Sequence, residues 1–231
     1  LAGGQNAAAV DDVKYMQSKL FSALGVPKAY LGFDEALCLT GDTLIPLLDG
    51  RTLSMRELAA EHSAGKQNWV YSCKADGSVH PGKILSAWKT KETRDLLGVV
   101  IDNGEVIKCT PNHPFMMRDG TYKRADELSA GDSLMPVYRR VSSKSDGDLL
   151  DGYEMIWQAG EWKYTHKVVN ESYSHGVHSV SKMRVLHHVN FNKSDNSPEN
   201  LREMTWYEHR KLHSQNLNET LFRPDVVAKR E

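Results

Sequence analysis

Long apolar runs are missing from this sequence. A bilayer-spanning helix needs roughly 20 of them in a row, so none is expected. Cysteine is scarce: Cys38, Cys73 and Cys109 make an odd, sparse set. That argues against a disulfide framework and fits a reducing compartment. A dominant charge is missing too. Lys and Arg number 29 against 30 Asp and Glu, a formal net charge of −1. No global basic field announces nucleic acid, so any DNA contact must come from local patches. From Lys182 to Glu231 nine Lys and Arg face seven Asp and Glu, an excess of only two. No basic-then-apolar leader opens the chain, and export is not expected. The first residue is Leu1 rather than Met, so the chain is expected to be a piece of a longer product. What is present suits a soluble globular protein of one or two domains: 231 residues, 40% hydrophobic, 26% charged. Histidine is unevenly spread. Seven of ten (His166, His175, His178, His187, His188, His209, His213) fall in the last third.

Periodicity divides the chain. In residues 1–37, Val13, Met16, Leu20 and Leu24 recur at helical spacing. Asp11 and Asp12 precede them, where the helix dipole favours acids, and Gly25 and Pro27 follow as a stop. Residues 38–138 read as mainly β. Asp49-Gly50, Asp76-Gly77, Asn103-Gly104 and Asp119-Gly120 are hairpin turns between β-branched or apolar runs. One short helix is expected after the capping box Ser54-Met55-Arg56-Glu57. Residues 139–152 are rich in Ser, Gly and charge and read as a linker between domains. Residues 153–221 read as a second, α+β unit, and 222–231 as a tail.

The order of reactive residues is the sharpest signal. Cys38-Leu39-Thr40-Gly41-Asp42-Thr43 opens the β region, and Thr110-Pro111-Asn112-His113 closes most of it. This pair of blocks resembles the N-terminal half of an intein, a Hint domain with a horseshoe-like β fold. The resemblance implies that Cys38 attacks the carbonyl of Leu37 in an N–S acyl shift. It implies that Thr110 holds the scissile amide and that His113 protonates the leaving nitrogen, with no cofactor. Thiolate is the active nucleophile, and imidazole titrates near neutrality, so the residue types suit the roles. Cys73 and Cys109 are expected in the core. Val13 to Leu31 resembles a tailed-phage portal protein, which makes 1–37 a host (extein) segment. The closing His-Asn of an intein does not follow Val226-Val227-Ala228-Lys229-Arg230-Glu231. A C-terminal splicing segment is therefore expected as a partner in cis or in trans.

A second constellation runs His187-His188, Asn200, His209, His213. His209 and His213 stand four apart, on one face of a helix that the capping box Thr205-Trp206-Tyr207-Glu208 would start. Two imidazoles so placed can clamp a metal. The order resembles an HNH homing endonuclease with a ββα-metal fold. That resemblance assigns His187, His209 and His213 to a divalent metal ion (Zn, Mg or Mn). It assigns His188 as general base and Asn200 as the residue that orients it. His166, His175 and His178 are expected at the surface, and His166 also suits the DNA-handling part.

The whole then reads as a self-splicing intein fragment with an embedded HNH homing endonuclease, carried in a phage portal-like host protein. The implied substrate is double-stranded DNA of the intein-free host gene, and the implied setting is the cytoplasm of a bacterial cell. Two other readings fit the same residues: an inactive insertion in a structural portal protein, or a stand-alone HNH nuclease with an autoprocessing Hint domain.

Overall fold

The computed structural model describes residues 38–90, 92–173 and 184–221, the last four without side chains. The helix and portal-like segment expected within 1–37, the residues His175 and His178, and the tail at 222–231 lie outside them. Among the described residues no helix is long and apolar enough to cross a membrane.

Four antiparallel hairpins form where the Asx-Gly dipeptides predict them. They are β1 (Leu44–Pro46) with β2 (Thr52–Ser54), β3 (Trp69–Cys73) with β4 (Val79–Lys83), β5 (Leu97–Val100) with β6 (Val106–Cys109), and β7 (Pro114–Met116) with β8 (Tyr122–Arg124). The chemistry is the same in each turn. The Asp or Asn side chain accepts the amide two residues on, as in Asp49 to Arg51 and Asn103 to Glu105. Glycine then takes a positive φ near 80°, which a side chain would oppose. At Gly120 there is a second reason, because a Cβ would strike the backbone carbonyl of Ala75 in the neighbouring turn.

Helix α1 (Met55–Ser63) starts at the predicted capping box. Ser54 Oγ accepts from the Glu57 amide, and the Glu57 carboxylate accepts from the Ser54 amide. Its one buried side chain is Leu58. Arg51 and Asn68 both bind the Glu61 carboxylate and tie the helix to the sheets on either side. Arg51 holds that carboxyl down at about 2.

The expected linker is folded instead. β9 (Arg139–Val141) pairs with β10 (Glu154–Gln158), which pairs with β11 (Glu161–Tyr164), in one three-stranded sheet. Its polar composition misleads because the charges are paired. Arg140 forms a two-point bond to Asp148 at 2.6 and 2.7 Å, and Asp148 also accepts the Ser143 amide. Helix α2 (Thr165–Tyr173) follows. β12 (Arg184–His188) and β13 (Leu201–Thr205) then form a hairpin, and α3 (Trp206–Leu221) leaves its end. The helix starts at the expected capping box, and a five-residue strand that was not foreseen fills the span before it.

The domain boundary placed at 139–152 does not separate two cores. Leu48 and Trp69, from the hairpin region, are buried with Val169 of α2, and Leu201 packs on them. Val79 is buried with Ile156 and Val168. Polar contacts cross the same seam. Trp69 Nε1 donates to Glu199 at 2.9 Å, Tyr71 to Glu154 at 2.6 Å, and the Asn196 amide to the Leu48 carbonyl at 2.6 Å.

Candidate functional site

Two groups of reactive side chains emerge, one in each expected unit. At the first, the backbone of Cys38 runs beside the end of β6. Thr110 N–H donates to the Cys38 carbonyl at 3.0 Å, and Leu39 bridges to Cys109. The register aims one side chain at one amide. Cys38 N–H donates to Thr110 Oγ1 at 3.2 Å. That nitrogen belongs to the peptide bond between Leu37 and Cys38. Thr110 is only 2% exposed, so its hydroxyl is fixed in place. The half-buried Cys38 thiol lies 2.8 Å from the hydroxyl of Thr90. Thr90 carries no signal in the sequence and was missed.

His113 is held by the same turn, its amide donating to the Thr110 carbonyl at 3.0 Å, and its ring stands edge-on to Phe115. Its Nδ1 is buried with no hydrogen-bond partner. Burial pushes its pKa below the ordinary imidazole value, so the ring is neutral at neutral pH. An unpartnered, neutral imidazole nitrogen can accept a proton. Cys109 is fully buried and Cys73 half-buried, and burial pushes both thiols up, which suits packing rather than nucleophilic attack.

At the second group, β12, β13 and α3 form a ββα unit. Thr205 and Glu208 make the predicted capping box that starts α3. His209 and His213 share its first turns, with ring centroids 4.4 Å apart, and His187 on β12 faces both at 5.3 and 5.1 Å. One ligand nitrogen from each of the three lies within 4.8 Å of the others. His187 is 3% exposed, and its Nε2 has no hydrogen-bond partner. Burial, with His213 and His209 adding to it, pushes the His187 pKa down to about 4. A buried, neutral, unpaired imidazole nitrogen aimed at two more imidazoles suits a borderline metal ion such as Zn²⁺.

His188, the next residue on the strand, turns to other neighbours, as strand alternation requires. Its ring lies against Tyr153 and His166, and its Nε2 is 3.4 Å from Asn196 Oδ1. Two expectations change here. Among the described residues Asn200 makes no hydrogen bond to His188. Its side chain instead closes the loop, accepting from the Asn190 amide and donating to Asn190 Oδ1 and the Asp195 carbonyl. The side chain beside His188 is Asn196, which is completely buried. His166 is not a surface residue. It is 4% exposed, and burial drives its pKa to about 3. A cleft opens over the group, lined by the four histidines with Tyr153, Leu186, Phe191 and Lys193.

Comparison with known proteins adds a second line. A family model described as the intein splicing domain matches residues 45–224, and one for the bacteriophage T4-like portal protein (Gp20) matches residues 1–45. A DNA gyrase polypeptide of Synechocystis sp. is 44% identical over 197 residues, 83% of this chain and 18% of that protein. The replicative DNA helicase DnaB of Rhodothermus marinus is 32% identical over 117 residues, 51% of this chain and 12% of that protein. The reverse gyrase of Thermococcus kodakarensis is 35% identical over 109 residues, 46% of this chain and 6% of that protein. The chain thus spans less than a fifth of each of these relatives. Among solved structures, a DnaB intein from Synechocystis sp. aligns with a TM-score of 0.35 at 25% identity, covering 52% of this chain and 76% of that one.

Proposed function

Since the chain belongs to the intein splicing domain family, we propose that it breaks the peptide bond between Leu37 and Cys38 by itself. The observation that carries this reading is the hydrogen bond from the Cys38 amide to Thr110 Oγ1. It fixes the leaving nitrogen beside the nucleophile's own side chain. The Cys38 sulfur forms a bond to the Leu37 carbonyl carbon, and the carbon–nitrogen bond breaks. The thiol proton ends on the Cys38 nitrogen. His113, neutral through burial, takes that proton and returns it to the amide. The thioester is less stable than the amide it replaces, so the shift is carried forward when a thiol or the next acyl acceptor draws the thioester off. A strong external thiol intercepts the thioester, so intact mass should show a fragment ending at Leu37. Cys38→Ala should release none. Undiminished release from the alanine variant would remove Cys38 as the nucleophile. The host is a portal-like protein, in keeping with the match over residues 1–45. The residues that complete splicing come from a C-terminal segment, in cis or in trans, and the setting is the bacterial cytoplasm.

A second reading rests on the three-histidine cluster. The ββα unit acts as an HNH-type endonuclease, which would make the chain a mobile element that cuts the intein-free host gene. His187, His209 and His213 hold a divalent metal there. When bound, the metal neutralises charge on a scissile phosphate and on its leaving oxygen. His188 takes a proton from water. Asn196 Oδ1 accepts from His188 Nε2, which leaves Nδ1 as the basic nitrogen. Plasmid carrying the uninterrupted host junction should be cut in the presence of Mg²⁺, Mn²⁺ or Zn²⁺. Intact plasmid after incubation with folded, metal-loaded wild type would reduce the cluster to a structural clamp.

A further inference from the structure

The cleft over the histidine cluster holds a cation that no carboxylate pairs with among the described residues. Lys193 lies on the loop between β12 and β13 and lines the cleft beside His187, His188, His209 and His213. Among the described residues no carboxylate lines it. Among the described residues Lys193 makes no ion pair. The loop's own acid, Asp195, is committed elsewhere, to Asn190 Nδ2 at 2.7 Å and the Ser197 amide at 3.1 Å.

The lysine is nonetheless held in place. Its Nζ donates to the Asp151 carbonyl at 2.9 Å and sits 5.5 Å from the centre of the Tyr153 ring. Between those two residues comes Gly152, at a φ of 70°, and a Cβ there would run into Lys193 Nζ. A carbonyl, a missing side chain and an aromatic face together seat the ammonium. An ammonium has three N–H donors, and the carbonyl uses one. A seated surface lysine is costly in side-chain entropy, and a long solvated one would serve solubility as well. A histidine-lined cleft with a fixed cation, and with its nearest acid Asp195 set back from the lining, is complementary to an anion.

We propose that Lys193 anchors a backbone phosphate of the DNA strand in this cleft, next to the phosphate that is cut. The proposal rests on the nuclease reading. It concerns binding, so it can be read without turnover. A fluorescent duplex copied across the uninterrupted host junction is titrated with metal-loaded wild-type protein, at several salt concentrations, by anisotropy, and a gel checks that the duplex stays intact. Each phosphate contact contributes about 0.9 to the slope of log affinity against log salt. Lys193→Met should lower that slope by about 0.9 and weaken binding roughly tenfold near 0.1 M salt. Lys193→Arg should keep the slope. Gly152→Ala keeps the charge but displaces the ammonium, and it too should lose slope. Thermal melts and zinc content of both Lys193 variants should match wild type, and Gly152→Ala should keep its zinc while melting somewhat lower, because alanine is strained at a φ of 70°.

Equal slopes for wild type and Lys193→Met, with the duplex bound, overturn the anchor and leave the nuclease reading standing. A full slope in Gly152→Ala with a reduced one in Lys193→Met shows a diffuse charge effect, and overturns the seated anchor. Failure of the wild type to bind or cut the duplex, with or without metal, overturns both.

Discussion

Cys38 and Thr110 meet from 72 positions apart, through backbone register and two hydrogen bonds. His187, His209 and His213 meet within a single ββα unit that anchors on a buried His187, with His209 half-buried and His213 exposed. The surroundings differ as well. Around the first site the hairpins are two-stranded sheets that leave Leu44, Val100, Val106 and Tyr122 more than half exposed. Around the second, His166, His187, His188, Asn196 and Asn200 are all buried. Assembly by register tolerates exposure, because hydrogen bonds between strands fix positions without a large core. Assembly by burial makes chemistry and folding one property, because a buried polar group without a partner is expensive. Substitutions at the first site should therefore change rates with little effect on stability, and substitutions at the second should change both.

The largest effect is expected at His113. His113→Ala should slow thiol-induced release at Leu37 by two to four orders of magnitude, roughly the range for a positioned acid or base. The melting temperature should hardly move. A large loss of stability would show that the first site also depends on burial, and the contrast would fail. Next come two histidines of the second site. His209→Ala should lose metal at stoichiometric loading, and with it the protection of residues 184–221 from hydrogen exchange, because ligands and local fold are linked. His188→Ala should keep its metal and lose DNA cleavage. Metal loss in the His188 variant would move it into the ligand set.

How much of this was legible follows from where each signal sits. The four turns and both capping boxes were readable because their chemistry is complete within four residues. The clamp was readable because helical spacing places His209 and His213 on one face. Asn196 and His166 were not. An asparagine in a polar loop and a histidine after a lysine-bearing strand look solvated, and only strands from distant parts of the chain bury them. β9 was hidden for a related reason: Arg140 and Asp148 neutralise each other, so a paired segment has the composition of a free one. The shared core left no trace either, because Leu48 and Val169 each look like an ordinary apolar position in its own element.

That core limits the contrast, and Trp69 tests it. Trp69→Ala should cost about 3–5 kcal/mol, the usual range for a buried tryptophan. It should also move the melting of both regions together, seen as one transition at every probe. Two separated transitions would restore the boundary at 139–152. The smallest effect is expected from pH. His166 has its pKa lowered by burial to about 3, so the unfolded chain binds its proton first. Its contribution is fully present above about pH 6.5, the unfolded value, and declines as pH falls toward 3, by at most about 1.4 kcal/mol per unit. His166→Phe should flatten that slope in urea titrations between pH 6.5 and 4.5. An unchanged slope would assign it to other groups.

Trp69 Nε1 and the Glu199 carboxylate join across the seam between the two regions. A gene that lost the segment coding for 139–221 would leave more than a missing segment. Leu48, Trp69 and Val79 would open to water at once, and the Trp69 N–H and Tyr71 hydroxyl would lose their acceptors. Clean excision therefore requires compensating polar changes on one face of two hairpins before the remainder folds well. A segment that doubles as part of the splicing domain's own interior resists deletion whatever its separate chemistry.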